Sequence, residues 1–256
     1  LFLFISSCGY APINSLNNKD YSIISFNIFP HLLSDEFNFN VTELQISKNG
    51  NLIKGIYGGT VTTDNNIVIT ADNFEYNKLT LLLKANGRVK LIDKNENITI
   101  QSNEIFYEKD KELIYTKGKS TATNSVNIDI FADKYFKYNK LTSLLEANGN
   151  VLIEDSEEEI VIETNEFFYL QKKNQFFTKG ETKIFIENKY IIDTKDLIFF
   201  RNQKLLSSQK KTSLKDIALD NTYKLNDFEY SLNQEILKGN KIQVITSDKE
   251  KKSDTF

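Results

Sequence analysis

Histidine and cysteine are nearly absent from the chain, which contains one of each, His31 and Cys8. Nucleophilic catalysis needs a nucleophile and a base in contact, and one distant pair argues against such an arrangement. A zinc site needs several histidine or cysteine ligands, and a disulfide needs two cysteines. We therefore predict no metal site and no internal disulfide.

The sequence also lacks a glycine-rich loop that opens a helix, as phosphate binding would require, and an acidic calcium-binding loop. Three consecutive carboxylates occur at residues 157–159, and a carboxylate pair can carry out acid–base chemistry. Their position between two predicted strands favours a solvated turn. The sequence therefore predicts a protein that is not an enzyme and has no cofactor.

Proline is scarce and charge of one sign does not dominate. Two prolines in 256 residues leave no proline-rich linker, and 32 basic against 35 acidic residues give a net charge of −3. The charges are interspersed and no basic face is visible, which argues against a nucleic-acid partner. Hydrophobic residues make up 40% of the chain, enough for a sizeable core. The length allows one long domain or two smaller ones, and the unbroken repeat described next favours one.

A repeat of 31 residues organises most of the chain. Its clearest copy is ADNFEYNKLTLLLKANGRVKLI at residues 71–92, and DKYFKYNKLTSLLEANGNVLI follows at residues 133–153. One aromatic position recurs at this period, and so does one glycine position: Tyr76, Tyr107, Tyr138, Tyr169 and Phe200, and Gly87, Gly118, Gly149 and Gly180. A fixed period over this length indicates stacked structural units.

Each unit reads as two strands joined by a polar turn. In the second strand of the clearest copy, Leu83, Ala85, Val89 and Leu91 alternate with charged or polar residues. Alternation with a period of two is typical of strands with one buried face, whereas a helix would space its apolar residues three and four apart. The turns are rich in asparagine and lysine, which suits antiparallel hairpins.

The recurring glycine predicts a bend in each second strand, because glycine within a strand marks a bulge or a close backbone approach. A small or short residue lies two positions before it, as at Ala85 and Ala147. Two interpretations stay open: a sheet that curls around a partly hollow interior, and a tight corner in a filled solenoid. An apparent slip at residues 72–73 predicts a further bulge.

The inward-facing rows are the candidate lining of an apolar groove. The strand-end aromatics have an alternative role as ordinary core, since aromatics at strand spacing are usually buried. The candidate lining residues are Phe74, Tyr76, Leu81, Leu83, Ala85, Val89, Ile114, Phe136, Leu145, Ala147, Val151, Ile153, Phe176 and Ile184.

The N-terminal segment, residues 1–36, has a different character. Its start, LFLFISSCGYAPIN, resembles the end of a secretion signal, and ISSC also resembles a lipoprotein signal in which Cys8 receives a lipid. The apolar stretch that contains His31 fits a strand, a lead-in to the first strand or a second signal-like stretch. We expect the β domain to span residues 37–245, with a charged tail at residues 246–256.

The units ADNFEYNK…LKANGRVKLID and ADKYFKYNK…LEANGNVLIED resemble the organic-solvent-tolerance-like (OstA-like) domain of the Lpt lipopolysaccharide-transport family. The stretch GGTVTTDNNIVITADNFEYN is similar to the N-terminal periplasmic domain of the outer-membrane assembly protein of that family. The resemblance covers roughly residues 37–245, and several copies of A-(D/N)-x-φ-x-Y and A-N-G-x-V in frame carry it.

The resemblance implies an all-β fold, an open, V-shaped β-jellyroll built from antiparallel hairpins, sometimes called a β-taco. It implies a periplasmic module of a Gram-negative bacterium, associated with the outer membrane. In that role the groove shields the acyl chains of lipopolysaccharide, and edge strands pair with other β-jellyroll components. The alternative is a structural or adhesive β-solenoid with a filled core and no ligand.

Overall fold

The computed structural model describes residues 22–24, 37–125 and 127–246. Nearly every strand pairs with at least one of its neighbours along the chain, and all pairings between the described strands are antiparallel. The first half contains β1 (Ser22–Ile24), β2 (Asn38–Ser47), β3 (Leu52–Thr62), β4 (Ile67–Ala71), β5 (Asn73–Asn77), β6 (Leu82–Asp93), β7 (Ile98–Glu108), β8 (Leu113–Thr116), β9 (Ser120–Asn124), β10 (Ile128–Ala132) and β11 (Tyr135–Asn139).

The second half continues the same pattern, with shorter strands toward the end. It contains β12 (Leu144–Asp155), β13 (Ile160–Leu170), β14 (Gln175–Ile186), β15 (Tyr190–Lys195), β16 (Ile198–Phe200), β17 (Leu205–Ser208), β18 (Thr212–Asp216), β19 (Asn221–Leu225), β20 (Phe228–Ser231), β21 (Ile236–Gly239) and β22 (Gln243–Thr246). Short 3-10 helices occupy three turns: Lys109–Lys111, Gln171–Lys173 and Arg201–Gln203. The predicted all-β fold of antiparallel hairpins is confirmed.

The sheet is folded into two walls. Long strands run through both: residues 82–86 of β6 pair with β5, whereas residues 90–93 pair with β4. We call wall A the set of segments that border the turns at 78–81, 109–112, 140–143, 171–174, 201–204 and 232–235. Wall B borders the turns at 63–66, 94–97, 156–159, 187–189 and 217–220. The inward side chains of both walls belong to one buried cluster, which agrees with the expected β-jellyroll.

The corner between the walls is built by β-bulges. Between Asn86 and Val89, β6 uses two residues where β7 uses one, and the same irregularity follows Asn148 in β12. The extra pair, Gly87 and Arg88, has φ of 80° and 47°. A bulge increases local twist and bends the strand, so a recurring bulge turns one sheet into two facing walls. The break between β4 and β5 falls at Asp72, where the sequence predicted a slip.

Two details modify the sequence interpretation. The inward aromatic of the fifth unit is Phe199, which is fully buried, and not Phe200, because this unit is one residue shorter than the units before it. The ambiguous N-terminal segment contributes β1, which pairs with Leu44–Ile46 of β2 at the wall A end. Cys8, His31 and residues 247–256 lie outside the described residues.

Gly87 and Gly118 form a matched pair for testing the corner. Both have positive φ, 80° and 77°, but a Cβ at Gly87 would lie 2.5 Å from Asp72 Oδ2, whereas a Cβ at Gly118 would meet open space. We expect Gly118→Ala to destabilise the fold by about 1 kcal/mol through backbone strain alone. Gly87→Ala should cost roughly 1 kcal/mol more, because the carboxylate must move.

Urea unfolding measures both losses. Asp72→Gly, which removes the carboxylate and also the Cβ that would lie 2.8 Å away, should recover most of the additional loss in a Gly87→Ala background and leave the Gly118→Ala loss unchanged. Equal losses at the two glycines would contradict the proposed crowding at the corner.

Candidate functional site

The candidate lining residues do come together in the structure. All of them except Leu81 are buried, with exposed fractions of at most 3%, and they belong to one continuous cluster that spans both walls. Leu81 lies in a turn with φ of 49° and packs partly buried against that cluster. Their role as a lipid-binding surface remains a prediction.

The interior is filled by the side chains of the protein itself. Phe176 makes edge contacts with Phe167, Tyr169 and Phe199, with ring centroids 5.4, 4.8 and 5.6 Å apart. Phe37 and Tyr76 form a similar contact at 4.8 Å. Of the two interpretations left open by the recurring glycine, the filled interior describes this state of the molecule. An acyl chain would therefore need the walls to separate.

Further inward residues complete the interior. The strand-end aromatics among them were interpreted from the sequence as ordinary core, and the isoleucines were missed. In wall A many of these residues are aromatic, and in wall B they are mainly isoleucines on alternating positions of β4, β7, β10 and β13. The sequence signal is the short alternation in IVITA, ITIQ, IDIF and IVIE. They include Tyr107, Tyr138, Phe167, Tyr169, Phe199, Ile67, Ile69, Ile98, Ile100, Ile128, Ile130, Ile160 and Ile162.

Opposite the corner, the two rows of turns meet, and we call this line the mouth. At the mouth, backbone hydrogen bonds stay within one wall, whereas side chains make contacts between the walls. Backbone hydrogen bonds of the turns join neighbours within one wall, such as Lys140 N to Glu112 O at 3.0 Å and Ser156 N to Asn127 O at 3.1 Å. Among the described residues, the polar contacts across the mouth involve side chains, and most are ion pairs.

The strongest ion pair at the mouth centres on Arg201, at the start of a wall A turn. Its Nε and Nη2 donate to the two carboxylate oxygens of Asp155 in wall B, at 2.7 and 3.1 Å. Nη2 also donates to Glu157 at 2.6 Å. Burial by itself lowers the pKa of the Arg201 guanidinium, but the two carboxylates more than offset that effect and raise it. The guanidinium therefore stays charged between the walls.

Other contacts repeat this arrangement along the mouth. Lys140 Nζ lies 3.0 Å from Asp93 Oδ2, and Lys109 Nζ lies 3.4 Å from Asp64 Oδ1. Gln171 Nε2 donates to the backbone oxygen of Glu96 at 2.6 Å, which joins the walls without a charge pair.

The buried aspartates of wall B have two roles. Asp93 and Asp155 each accept a backbone hydrogen bond that shapes the following turn, from Asn95 N at 3.0 Å and from Glu158 N at 3.3 Å. The same carboxylates face the cations of wall A. The run at residues 157–159 is thus not simply solvated, since Glu157 binds Arg201 and Glu158 lies 3.1 Å from Lys204. A recurring aspartate at the end of an apolar strand was the available sequence signal.

A row of tyrosines lies behind the mouth. Tyr107 OH donates to Glu112 Oε2 at 2.6 Å and Tyr169 OH to Asn174 Oδ1 at 3.2 Å. Burial, and then the hydrogen bond to Glu112, raises the pKa of Tyr107 well above its ordinary value. Burial, and then the charge of Asp93, does the same for the pKa of Tyr138. These phenols therefore stay neutral in the folded protein.

The last strands of both walls carry exposed apolar side chains. In β22, Val244 and Ile245 are exposed, and in β21 so is Ile236. β22 pairs with β19, and β21 pairs with β20. Exposed apolar residues on terminal strands are a feature of surfaces that add a further strand.

Two further properties of the described residues bear on other functions. Within the described ranges, no three histidine, cysteine, aspartate or glutamate side chains converge as a metal site would require. None of the helices in those ranges has the length and apolar character to cross a bilayer.

No protein-family model and no curated protein sequence matches this chain. Among solved structures it is similar to the crystal structure of LptH from Pseudomonas aeruginosa, the LptA-homologous periplasmic component of the conserved lipopolysaccharide transport device. The match covers 71% of this chain and 95% of that chain, with 10% identity and a TM-score of 0.21. Similarity at this level carries no argument about function.

The neutral tyrosines predict a loss of stability at alkaline pH. The pKa values of Tyr107 and Tyr138 in the folded protein lie above the ordinary value of 10.0. Their contribution to the free energy of unfolding is therefore complete below pH 10 and decreases as the pH rises above 10. For each fully shielded phenol, the free energy of unfolding should decrease by about 1.4 kcal/mol per pH unit above pH 10. Urea unfolding at pH 9 and at pH 11 measures this change.

Tyr107→Phe should reduce the pH dependence, whereas Tyr57→Phe, at a residue that is 72% exposed, should leave it unchanged. Ionisation of all 12 tyrosines near pH 10 with the fold intact, followed by ultraviolet absorbance, would contradict the shielding.

Proposed function

We propose that the protein carries lipid acyl chains between its two walls as a periplasmic module of lipopolysaccharide transport. The observation that supports this most is the pairing of one continuous apolar interior with a mouth held by side chains. Both walls keep their backbone hydrogen bonds on their own side of the mouth. Separating the walls there leaves the strand ladders intact, whereas opening any other line would break a ladder.

The chemistry of the interior suits acyl chains. The cluster between the walls consists of aliphatic and aromatic side chains, and the buried charges of Asp93, Asp155 and Arg201 lie at the mouth. The buried hydroxyls of Thr116, Thr178 and Thr182 lie at the corner, where they bond to one another or to backbone groups. Burial of an acyl chain contributes about 0.8 kcal/mol for each CH₂ group, so a lipid is held without a charged site. No catalytic group or cofactor takes part in this function.

A second function is supported by a different observation. The interior is filled, and residues such as Tyr76, Phe136 and Ile153 have no exposed surface. A structural or adhesive β-solenoid with a sealed core would show the same packing. The two functions differ in whether the walls separate to accept a ligand.

Leucine pairs on the long strands distinguish the two functions. Leu83 and Leu145 point inward and are buried, whereas their neighbours Leu82 and Leu144 are half-buried on the outer surface. Leucine is replaced throughout by its diazirine analogue, which preserves side-chain volume. The protein is then irradiated with purified lipopolysaccharide, and mass spectrometry locates the adducts.

A carrier should form adducts at Leu83 and Leu145 and few at Leu82 and Leu144. Adducts confined to the outer leucines, or none at all, would leave the filled solenoid as the function.

We further propose that the chain works in the periplasm of a Gram-negative bacterium, near the outer membrane, and docks through its terminal strands to other β-jellyroll components. The exposed Ile236, Val244 and Ile245 support docking at the β21 and β22 edge. Lipidation at Cys8 remains a prediction from the sequence. A Val244→Lys/Ile236→Lys variant should lose at least about tenfold in association with a partner module or with itself, because a charged edge opposes strand addition.

Analytical ultracentrifugation measures that association. Leu219→Lys, at an exposed residue in a wall B turn, is the matched control. Equal losses from the edge and control variants would exclude docking at this edge.

A further inference from the structure

The ion pairs across the mouth form a regular series, which we call the latch. Their sequence separations are 45 residues for Lys109 and Asp64, 46 for Arg201 and Asp155, and 46 for Lys189 and Glu235. This spacing is about one and a half repeats, so each contact joins a wall A turn to a wall B turn. Because these ion pairs recur at a separation that the repeat sets, they are a regular feature of the fold and not isolated surface pairs.

The latch is partly buried, and its charges are mostly sorted between the walls. The side chains of Arg201 and Asp155 are 5% and 1% exposed, and those of Lys140 and Asp93 are 11% and 0% exposed. In these contacts wall A supplies the cation and wall B the carboxylate. The pair of Lys189 and Glu235 has the opposite order and is about half exposed.

Buried ion pairs are close to energetic balance. The attraction between the charges offsets the loss of their hydration, whereas a single buried charge left without its partner is strongly unfavourable. When the mouth opens, both members of each pair regain water together. The closed and open states can therefore exchange without a stranded charge in either of them.

We propose that the latch is releasable and that separation of the two walls along it is the step that admits acyl chains to the interior from the side. The pair of Arg201 with Asp155 and Glu157 is its strongest contact. This inference rests on the proposed carrier function and adds the way in which the site is opened and closed.

Two variants test the latch through the stranded charge. Arg201→Met leaves the Asp155 carboxylate buried without its cation. This unpaired charge raises the free energy of the closed state, so we expect the mouth to open. Arg201→Met/Asp155→Asn lacks the same arginine but strands no charge, and the asparagine oxygen can still accept from Glu158 N. The double variant should stay closed. Comparing the two variants distinguishes the effect of the unpaired Asp155 charge from the effect of losing the packing of the arginine side chain.

Spin labels read the opening directly. Cysteines replace the exposed Ser156 in wall B and Gln203 in wall A, in a Cys8→Ser background, and pulsed electron resonance measures the distance between the labels. A pair at Gln203 and Gln234, both in wall A turns, is the control and also reports that each variant is folded. We expect the Ser156–Gln203 distance to lengthen in Arg201→Met alone. An unchanged distance, or equal lengthening in both variants, overturns the latch.

A reversible cross-link tests access to the interior. Lys204→Cys and Glu158→Cys, joined by a cleavable bismaleimide, hold the mouth closed. The same linker across Lys54→Cys and Glu75→Cys, an ion pair of similar length within wall A, is the control. Uptake of a dansylated fatty acid should be at least about tenfold slower with the mouth linked and should recover on cleavage.

The outcomes for the latch and for the carrier function differ. Uptake that is equally fast in the mouth-linked and control-linked proteins overturns the latch and leaves the carrier function standing. If no form of the protein takes up the fatty acid, the carrier function fails, and with it the proposed admission of acyl chains.

Discussion

The recurring bulge at the corner is the constraint on which the rest of the structure depends. It lets one strand pair continuously with its neighbours while its two halves face each other, so that a single antiparallel sheet supplies both walls. Glycine is suited to this position because φ is positive at all four corner glycines, a conformation that residues with a Cβ adopt at a cost. At Gly87 and Gly149 a Cβ would also meet the side chain of Asp72 or Lys134. The backbone groups of each wall form their hydrogen bonds with neighbouring strands and turns of the same wall. The contacts across the mouth are therefore made by side chains.

This separation of backbone contacts within the walls from side-chain contacts at the mouth explains which residue types occur along each strand. At the corner, buried hydroxyls of Thr116 and Thr178 accept backbone hydrogen bonds from Phe136 N and Leu197 N, where the strands part. In the middle, aliphatic and aromatic side chains fill the interior. At the mouth, cations and carboxylates meet across a line that no strand ladder crosses in the described residues. Each zone has the residue types that its access to water and to backbone groups demands.

The filled interior and the ion-paired mouth describe one state of the molecule. A carrier needs a closed state, because an open apolar trough in water would be costly and prone to association. A solenoid with a structural role needs only that state. The side-chain closure distinguishes this protein from a closed barrel, in which opening would break backbone hydrogen bonds. The physical question for the function is therefore the free energy of separating the walls.

Most of the wall architecture could be predicted from local patterns. Alternation identified the inward residues of β5, β6, β12 and β14, and the repeating glycine located the corner. The short fifth unit was harder, because IFF has two adjacent aromatics and only pairing with β14 shows that Phe199 points inward. The acidic run at residues 157–159 was interpreted as a solvated turn because its partner lies about 44 residues away in sequence.

By itself, the sequence determined the strand class, the period, the bend and the side of each strand that avoids water, since these follow from neighbouring residues in one unit. The tertiary structure decided what those sides face. Whether apolar rows enclose a space or fill it depends on the distance between the walls, and that distance is set by contacts between turns about one and a half repeats apart. A local pattern carries no information about such contacts, because their geometry arises only when several hairpins have stacked.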